Sequence, residues 1–315
     1  MGDPFPYVVV NPEAGKGATR RFLPKLRKLL ERRFPTGFAL DVTAGRGQAT
    51  ELTRGALVNG SELIIAVGGD GTIHEVLNGF FDRGKLVNAL SRLGILCSGT
   101  ARDVVRNLNL PGTIESQLES INDGLRFVDV GYVSFCHAGG ADAERLFLND
   151  CQAGIAADVV RRVTPVLKRL GGTLAFGVGG ILSAVNFRSA SMSVELDGRE
   201  RFEGKFLGVV VANGRFAGGG MDFAPRSLID DGLLDLIIIR DKTVPVRLLS
   251  FPRIYAGTHL ELPWILYKRA QHIRIEAAGS VELEADGELL GFLPCEIRVL
   301  PRALAVAATG KALAK

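Results

Sequence analysis

Two apolar rhythms divide the chain. Over roughly the first 125 residues, short unbroken apolar runs alternate with stretches of helical period. The runs are 7–12 (YVVVNP), 38–43 (FALDVT), 62–69 (ELIIAVGG) and 92–97 (RLGILC). Between them, 19–34 places Phe22, Leu26, Leu29 and Leu30 at helical spacing opposite arginines and lysines. Helices are also predicted over 48–60, 72–81 and 101–110. Repeated strand–helix units predict a parallel sheet with both faces covered.

Near residue 126 the rhythm changes. The segments 126–135, 145–154, 191–200, 201–214, 233–240, 271–277, 281–288 and 293–300 read as strands, and Asp-Gly at 197–198 and 286–287 marks turns between such runs. This half reads as antiparallel β with helical insertions around 155–186 and 244–256. The predicted domains are 1–128, α/β, and 129–300, β-rich, with the tail 301–315 free to return to the first. The segment 170–185 (LGGTLAFGVGGILSAV) is too short to span a membrane comfortably, and its glycines predict a buried packing helix.

Composition narrows the class. A chain of 315 residues, 47% hydrophobic and 23% charged, is an ordinary globular protein of two domains. A net charge of +4 suits an anionic ligand or membrane surface and falls far short of a nucleic-acid binder's basic stripe. Four scattered cysteines form no C-x-x-C pair, so they predict buried, reduced thiols in a cytoplasmic protein. The N-terminus has no signal-peptide pattern.

The chemistry sits in four glycine-containing turns, each after a strand: 11–17 (NPEAGKG), 43–47 (TAGRG), 68–72 (GGDGT) and 97–100 (CSGT). In a parallel α/β sheet these turns line one edge, where backbone N–H groups and helix N-termini receive anions. Lys16 can neutralise a phosphate, and the hydroxyls of Thr72 and Thr100 can cap a helix or touch one. A tight strand-to-helix turn explains any one of them, whereas four on one edge point to a phosphate cleft. No Walker P-loop or dinucleotide fingerprint is present. Asp70, enclosed by Gly68, Gly69 and Gly71, is the unusual element. A carboxylate beside phosphate is repelled unless a metal bridges them or it accepts a hydrogen bond, so Asp70 points to metal–nucleotide chemistry.

The stretch GGDGTIHEVLNG resembles the signature of the diacylglycerol kinase catalytic domain, which also occurs in sphingosine and ceramide kinases and in soluble bacterial lipid kinases. Six further stretches resemble that family in order: VVVNPEAGKG, DVTAGRGQATEL, LGILCSGTARDVVRNLNLP, NDCQAGIAADVV, VANGRFAGGGMDFAPRSLIDDGLLDLIII and ADGE. The resemblance covers most of the chain. It implies an α/β nucleotide-binding domain with a parallel, NAD kinase-like sheet, then a β-rich antiparallel sandwich that holds the acceptor. The implied activity is transfer of the γ-phosphate of ATP to a lipid hydroxyl, of diacylglycerol or sphingosine type, across the cleft between the domains. By the same resemblance, ATP would be held by Asn11, Pro12, Gly15 and Lys16, by Thr43, by Gly68 to His74 with Asp70 and Thr72, and by Ser98, Gly99 and Thr100. A structural Mg²⁺ would sit on Asp231 and the carbonyls of Leu228 and Leu233. Asp286 and Glu288 would act at the transferred phosphate with Asp70. The implied partner is a lipid met transiently at a membrane surface, and a homodimer is compatible with the sequence. Related NAD kinases share Gly-Gly-Asp-Gly, so NAD as acceptor is the alternative, with a nucleotide- or lipid-binding regulator of weak turnover as another. Two departures bear on the acceptor: Ser98 stands where the family commonly has proline, and Ala101-Arg102-Asp103 where it has Gly-Asn-Asp.

Other residues carry milder readings. His74 and His259 read as packing residues, since neither has a partner at metal-ligand spacing. Cys136 and His137 are adjacent on a strand and face opposite sides. The basic helix 19–34 reads first as a solvated face and second as a surface for anionic lipid. Gly218 to Gly220 read as a flexible loop or as a cleft wall.

Overall fold

The apolar run at Pro6–Val10 (β1) is buried along almost its whole length, as are Leu63–Gly68 (β3) and Arg92–Cys97 (β6). Burial on both faces selects continuous apolar strands rather than alternating ones, and these three pair in parallel with Ala39–Val42 (β2) at the edge. The computed structural model describes residues 5–121, 123–137, 141–163 and 172–308. The chain falls into two compact units, Met1–Val128 with Arg302–Lys315, and Asp129–Pro301.

In the first unit, helices follow the strands: Ala14–Arg33 (α1), Gln48–Val58 (α2), Asp70–Phe80 (α3), Asp103–Asn107 (α4) and Ile114–Ser120 (α5). Leu26 and Leu30 of α1 join Val8, Val10, Ile65 and Val67 of the sheet in one core. The regular part of α1 begins later than its first residue, because Gly15, Lys16 and Gly17 are left-handed. A hairpin of Phe81–Asp82 (β4) and Lys85–Leu86 (β5) and the short α5 carried no periodic signal.

The second unit is antiparallel. Its strands are Leu125–Cys136 (β7, which begins in the first unit), Asp142–Phe147 (β8), Asp150–Gly154 (β9), Ala190–Leu196 (β10), Glu200–Ala212 (β11), Phe216–Ala217 (β12) and Met221–Asp222 (β13). Leu234–Arg240 (β14), Ile265–Ala270 (β15), His272–Ala277 (β16), Glu282–Ala285 (β17) and Glu288–Ala307 (β18) complete them. The pairings run β11–β10–β16–β18–β17–β9 and return to β11, so the long strands β11 and β18 each belong to both sheets of a sandwich. One apolar cluster fills it, with Val194, Val209, Leu236, Ile275, Leu283 and Ile297 among its members. The predicted strand over 145–154 is two strands, β8 and β9, and β15 was not foreseen. The end of β18 pairs with β6 of the first unit through Ala305 and Val306.

Among the described residues three helices insert: Ile155–Arg162 (α6), Gly172–Asn186 (α7) and Val244–Tyr255 (α8). The expectation of a buried helix over 170–185 needs correction. Gly179, Gly180, Ser183 and Ala184 face inward, but Val178, Ile181, Leu182 and Val185 are exposed. Among the described residues no helix is long and apolar enough to cross a membrane.

Candidate active site

Each strand of the first sheet ends in one of the four glycine turns, and the ladder aligns them. Asn11 N–H donates to the Val67 carbonyl (2.9 Å), Thr43 N–H to that of Val10 (2.8 Å) and Ser98 N–H to that of Gly68 (2.8 Å). The turns therefore lie side by side at the carboxyl edge in the order 97–100, 68–72, 11–17, 43–47. Asn11 Nδ2 donates to Thr72 Oγ1 (3.0 Å), and the hydroxyls of Thr19 and Ser98 are 2.6 Å apart. The site residues foreseen in this unit thus share one edge, with Pro12 buried and Lys16, Gly71 and Thr100 exposed.

Two glycines are required by close approach. A Cβ on Gly15 would lie 2.6 Å from the Ser98 carbonyl oxygen, and one on Gly99 would lie 2.6 Å from Gly69 Cα. The second contact is backbone on backbone, so neither partner can swing aside. Gly99→Ala should force the 68–72 and 97–100 turns apart and weaken nucleotide affinity by roughly tenfold to a hundredfold, since displacements near 1 Å cost about that much in positioning. Equilibrium binding of an ATP analogue checks this, and wild-type affinity would refute it.

Asp70 opens α3, with Gly69 as its N-cap. Its carboxylate also receives the first amides of α4: Asp103 N–H donates to Oδ2 (3.3 Å) and Val104 N–H to Oδ1 (3.2 Å). Two helix N-termini converge on one carboxylate, an arrangement that stabilises its negative charge. The Ser98 and Ala101-Arg102 departures are accommodated locally. Ser98 pairs with Thr19, and Arg102 takes a left-handed φ of 60° while its guanidinium donates to the Gly112 carbonyl (2.6 Å). Burial, with the nearby Asp70 charge, pushes the Cys97 thiol up to about 11, so it stays protonated. His74 is buried beside Asn78, and His259 Nε2 meets the Phe223 carbonyl at 2.9 Å, as packing roles require.

In the second unit, Asp286 and Gly287 have φ of 48° and 81° and form the tight turn between β17 and β18 that Asp-Gly predicts. The Asp286 carboxylate accepts three backbone amides: Leu148 to Oδ2 (2.9 Å), and Asn149 (2.8 Å) and Asp150 (3.2 Å) to Oδ1. The side chain that sequence reasoning placed at the transferred phosphate also clamps the 148–150 loop. Glu284 lies beneath the turn and accepts the Gly287 N–H (2.9 Å); burial, then the neighbouring Asp150, pushes its carboxyl well above the usual range. Glu288 begins β18 on the other side of the turn. Gly218, Gly219 and Gly220 all have positive φ and make the tight β12–β13 turn.

In the 228–233 loop the Asp231 carboxylate has protein partners. Asp231 Oδ2 is in contact with the Arg269 guanidinium, and Oδ1 accepts the Leu233 N–H (3.1 Å). Arg269 Nε also lies 3.8 Å from Asp235, which is fully buried. The loop closes further where Gly232 N–H donates to Asp129 Oδ2 (2.6 Å). Mg²⁺ demands a close octahedral oxygen shell, and a guanidinium on the only loop carboxylate assigned to it opposes this by charge and by space. Among the described residues no group of three or more His, Cys, Asp or Glu converges to hold a metal. Of the expected set Leu228, Asp231 and Leu233, the carboxylate is held in this structure by Arg269 and the Leu233 N–H. Treatment with a chelator should leave the melting temperature unchanged, while Asp231→Ala should cost about 1 kcal/mol that added Mg²⁺ does not restore. A chelator-induced drop in thermal unfolding would reinstate the metal.

Sequence reasoning missed three supports: Asp129, Arg269 and Asn213. Asn213 is fully buried and donates to the carbonyls of Asp129 (3.0 Å) and Leu148 (2.9 Å), beneath the loop that Asp286 clamps. The available signal was a polar residue inside an apolar run, Asp129 within 126–135 and Asn213 at the end of 201–214.

Comparison with known proteins gives the family. The family profile described as diacylglycerol kinase catalytic domain matches residues 6–133, and that described as YegS C-terminal NAD kinase beta sandwich-like domain matches 149–308. A diacylglycerol kinase of Bacillus subtilis is 28% identical over 292 residues, 92% of this chain and 91% of its own length. One of Staphylococcus carnosus is 27% identical over 290 residues, covering 91% and 89%. A solved Bacillus anthracis structure described as a candidate diacylglycerol kinase aligns over 98% of this chain and 96% of its own, with a TM-score of 0.79 and 26% identity.

Proposed function

The chain belongs to the diacylglycerol kinase catalytic-domain family, and from that premise we propose that it transfers the γ-phosphate of ATP to the hydroxyl of a lipid of diacylglycerol or sphingosine type. The observation that carries this reading is the alignment of four glycine turns at the carboxyl edge of the first sheet, held by Asn11–Thr72, Thr19–Ser98 and the Gly69–Gly99 contact. Backbone amides there can take the phosphates of ATP, which arrives with its own Mg²⁺ as the substrate complex. Lys16 supplies positive charge at that edge, and the Thr72 and Thr100 hydroxyls supply donors. Asp70 holds the 97–104 segment against the 68–72 turn and so keeps the phosphate-binding amides in register.

Phosphoryl transfer passes through a loose transition state in which positioning and charge neutralisation outweigh basicity. The three amide donors fix the orientation of the Asp286 carboxylate. In this proposal Asp286 aligns the attacking hydroxyl, with Glu288 assisting. The test is transfer of labelled γ-phosphate to a panel of diacylglycerol, sphingosine, ceramide and NAD. Label in a lipid is the expected result. Label in NAD alone, or ATP bound with no product, would replace this reading with one of its two alternatives.

A further inference from the structure

Beneath the Asp286–Gly287 turn lies a buried polar cluster with no part in the chemistry so far. Strands β9 and β17 pair antiparallel, with Glu284 opposite Gln152 and Ala285 opposite Cys151. Alternation sends Cys151, Ala153, Leu283 and Ala285 into the sandwich core, so Asp150, Gln152 and Glu284 share the other face. That face is closed to water too, because the three residues are only 2–5% exposed. Two neighbouring carboxyls on a dry face are strongly disfavoured as a doubly ionised pair, so one of them keeps a proton. The turn hangs on both. Glu284 Oε2 accepts the Gly287 N–H (2.9 Å). The Asp150 N–H donates to Asp286 Oδ1 (3.2 Å), and the Asp286 N–H donates to the Asp150 carbonyl (3.0 Å).

An orphaned atom shows where the proton is wanted. Gln152 Nε2 donates to Asp150 Oδ2, which leaves Gln152 Oε1 a buried acceptor with no donor. An ionised Glu284 has no hydrogen to offer it, whereas the neutral acid carries an O–H and stands directly across the ladder. The charges acting on Glu284 are both acids, Asp150 and Asp286. Glu288, opposite Ala285, belongs to the other face. Burial pushes up the thiols of Cys151 and of Cys295 on β18, so both stay neutral. Of the elements packed on β17, α6 carries Arg161, which closes on Asp158 and lies 3.4 Å from Glu282. On β8, Glu144 meets the Tyr132 hydroxyl and Arg145 is exposed. Among these groups no cation answers a second negative charge at Glu284.

We propose that Glu284 is a positioning residue: as a neutral acid sharing one proton with Asp150, it holds the Asp286–Gly287 turn in the geometry in which Asp286 aligns the acceptor hydroxyl. The alignment rests on the acceptor reading above; the shared proton does not. A carboxyl raised in the folded protein contributes stability that is complete below the ordinary carboxylate range and is lost as pH rises through its raised value. Wild type should therefore lose both melting temperature and turnover on the alkaline side.

The test compares wild type with Glu284→Gln, Glu284→Ala and Asp150→Asn from about pH 5 to about pH 9, a span in which buried carboxyls titrate. Thermal unfolding is followed without substrate, and kcat is followed for transfer of labelled γ-phosphate to whichever acceptor takes label. The glutamine amide carries permanently the hydrogen that the shared proton supplies. Its kcat should stay nearly level where that of wild type falls by up to about tenfold per pH unit, the slope of one proton. Alanine should lower kcat at least about tenfold at every pH, as a misplaced turn does. Asp150→Asn removes the neighbouring charge, so it should move the alkaline limb to lower pH without abolishing it. Affinity for an ATP analogue should follow one pH course in wild type and Glu284→Gln. The wild-type limb persisting in Glu284→Gln, or Glu284→Gln as damaged as Glu284→Ala, would each overturn the proposal. So would a limb that glutamine levels in unfolding but leaves in kcat. Where no acceptor takes label, the unfolding arm decides: a limb levelled by glutamine sustains the proton-sharing turn, and the failure belongs to the acceptor reading alone.

Discussion

Asp70→Asn should lower turnover by about 10²- to 10⁴-fold while the protein still folds. Asparagine keeps the size of the side chain and one acceptor oxygen, but it removes the charge on which α3 and α4 converge. The capping part of the loss is bounded, because replacing a helix cap costs about 0.5–2 kcal/mol. That is a shift of a few degrees in melting temperature, far too small to account for the loss of turnover. Turnover and thermal unfolding measured on one preparation separate the two parts. Unchanged turnover would remove Asp70 from the reaction. A fall in melting temperature that accounts for the whole loss of activity would leave it a cap and nothing more.

Asp286→Ala should be the most destabilising of the carboxylate substitutions. The side chain is the acceptor for the amides of Leu148, Asn149 and Asp150, all in buried residues. Each buried donor left without a partner costs about 1–3 kcal/mol, so a combined loss of roughly 3 kcal/mol is a conservative figure. In a unit of this size that corresponds to a fall of about 6–12 °C in melting temperature. Glu288→Gln removes a charge from the other side of the turn without touching the clamp, so it should fold as wild type. If Glu288→Gln loses turnover at full stability, while the turnover loss of Asp286→Asn matches its own loss of stability, Glu288 aligns the acceptor and Asp286 supports the loop. If Asp286→Asn loses far more turnover than stability, the order is reversed. Full stability in Asp286→Ala would contradict the clamp itself.

These carboxylates also mark where sequence reading reached its limit. Position was legible for all three, through a glycine enclosure at Asp70, an Asp-Gly turn at Asp286 and a polar loop at Asp231. Occupation was not. Asp70 meets α4, which lies 33 residues further on, Asp286 meets a loop 136–138 residues earlier, and Asp231 meets Arg269, 38 residues later. A hydrogen-bond partner is chosen by strand register and by which loops the sheet brings abreast, and neither is written in the residues near the carboxylate. The cation that meets Asp231 in this structure is a guanidinium from β15, a strand with no clear apolar rhythm.

By itself the sequence determined the things that depend on near neighbours. Doubly buried strands show as unbroken apolar runs because every residue in them needs the same environment. Asp-Gly turns show because few residue pairs tolerate two positive φ angles in succession, and the change from parallel to antiparallel architecture shows as a change of period. Tertiary structure alone decided what covers each surface. The segment 172–186 is apolar and rich in glycine, and composition made it a buried helix. It packs through its small residues and leaves Val178, Ile181, Leu182 and Val185 outside, because burial is a property of what a face meets and not of the face.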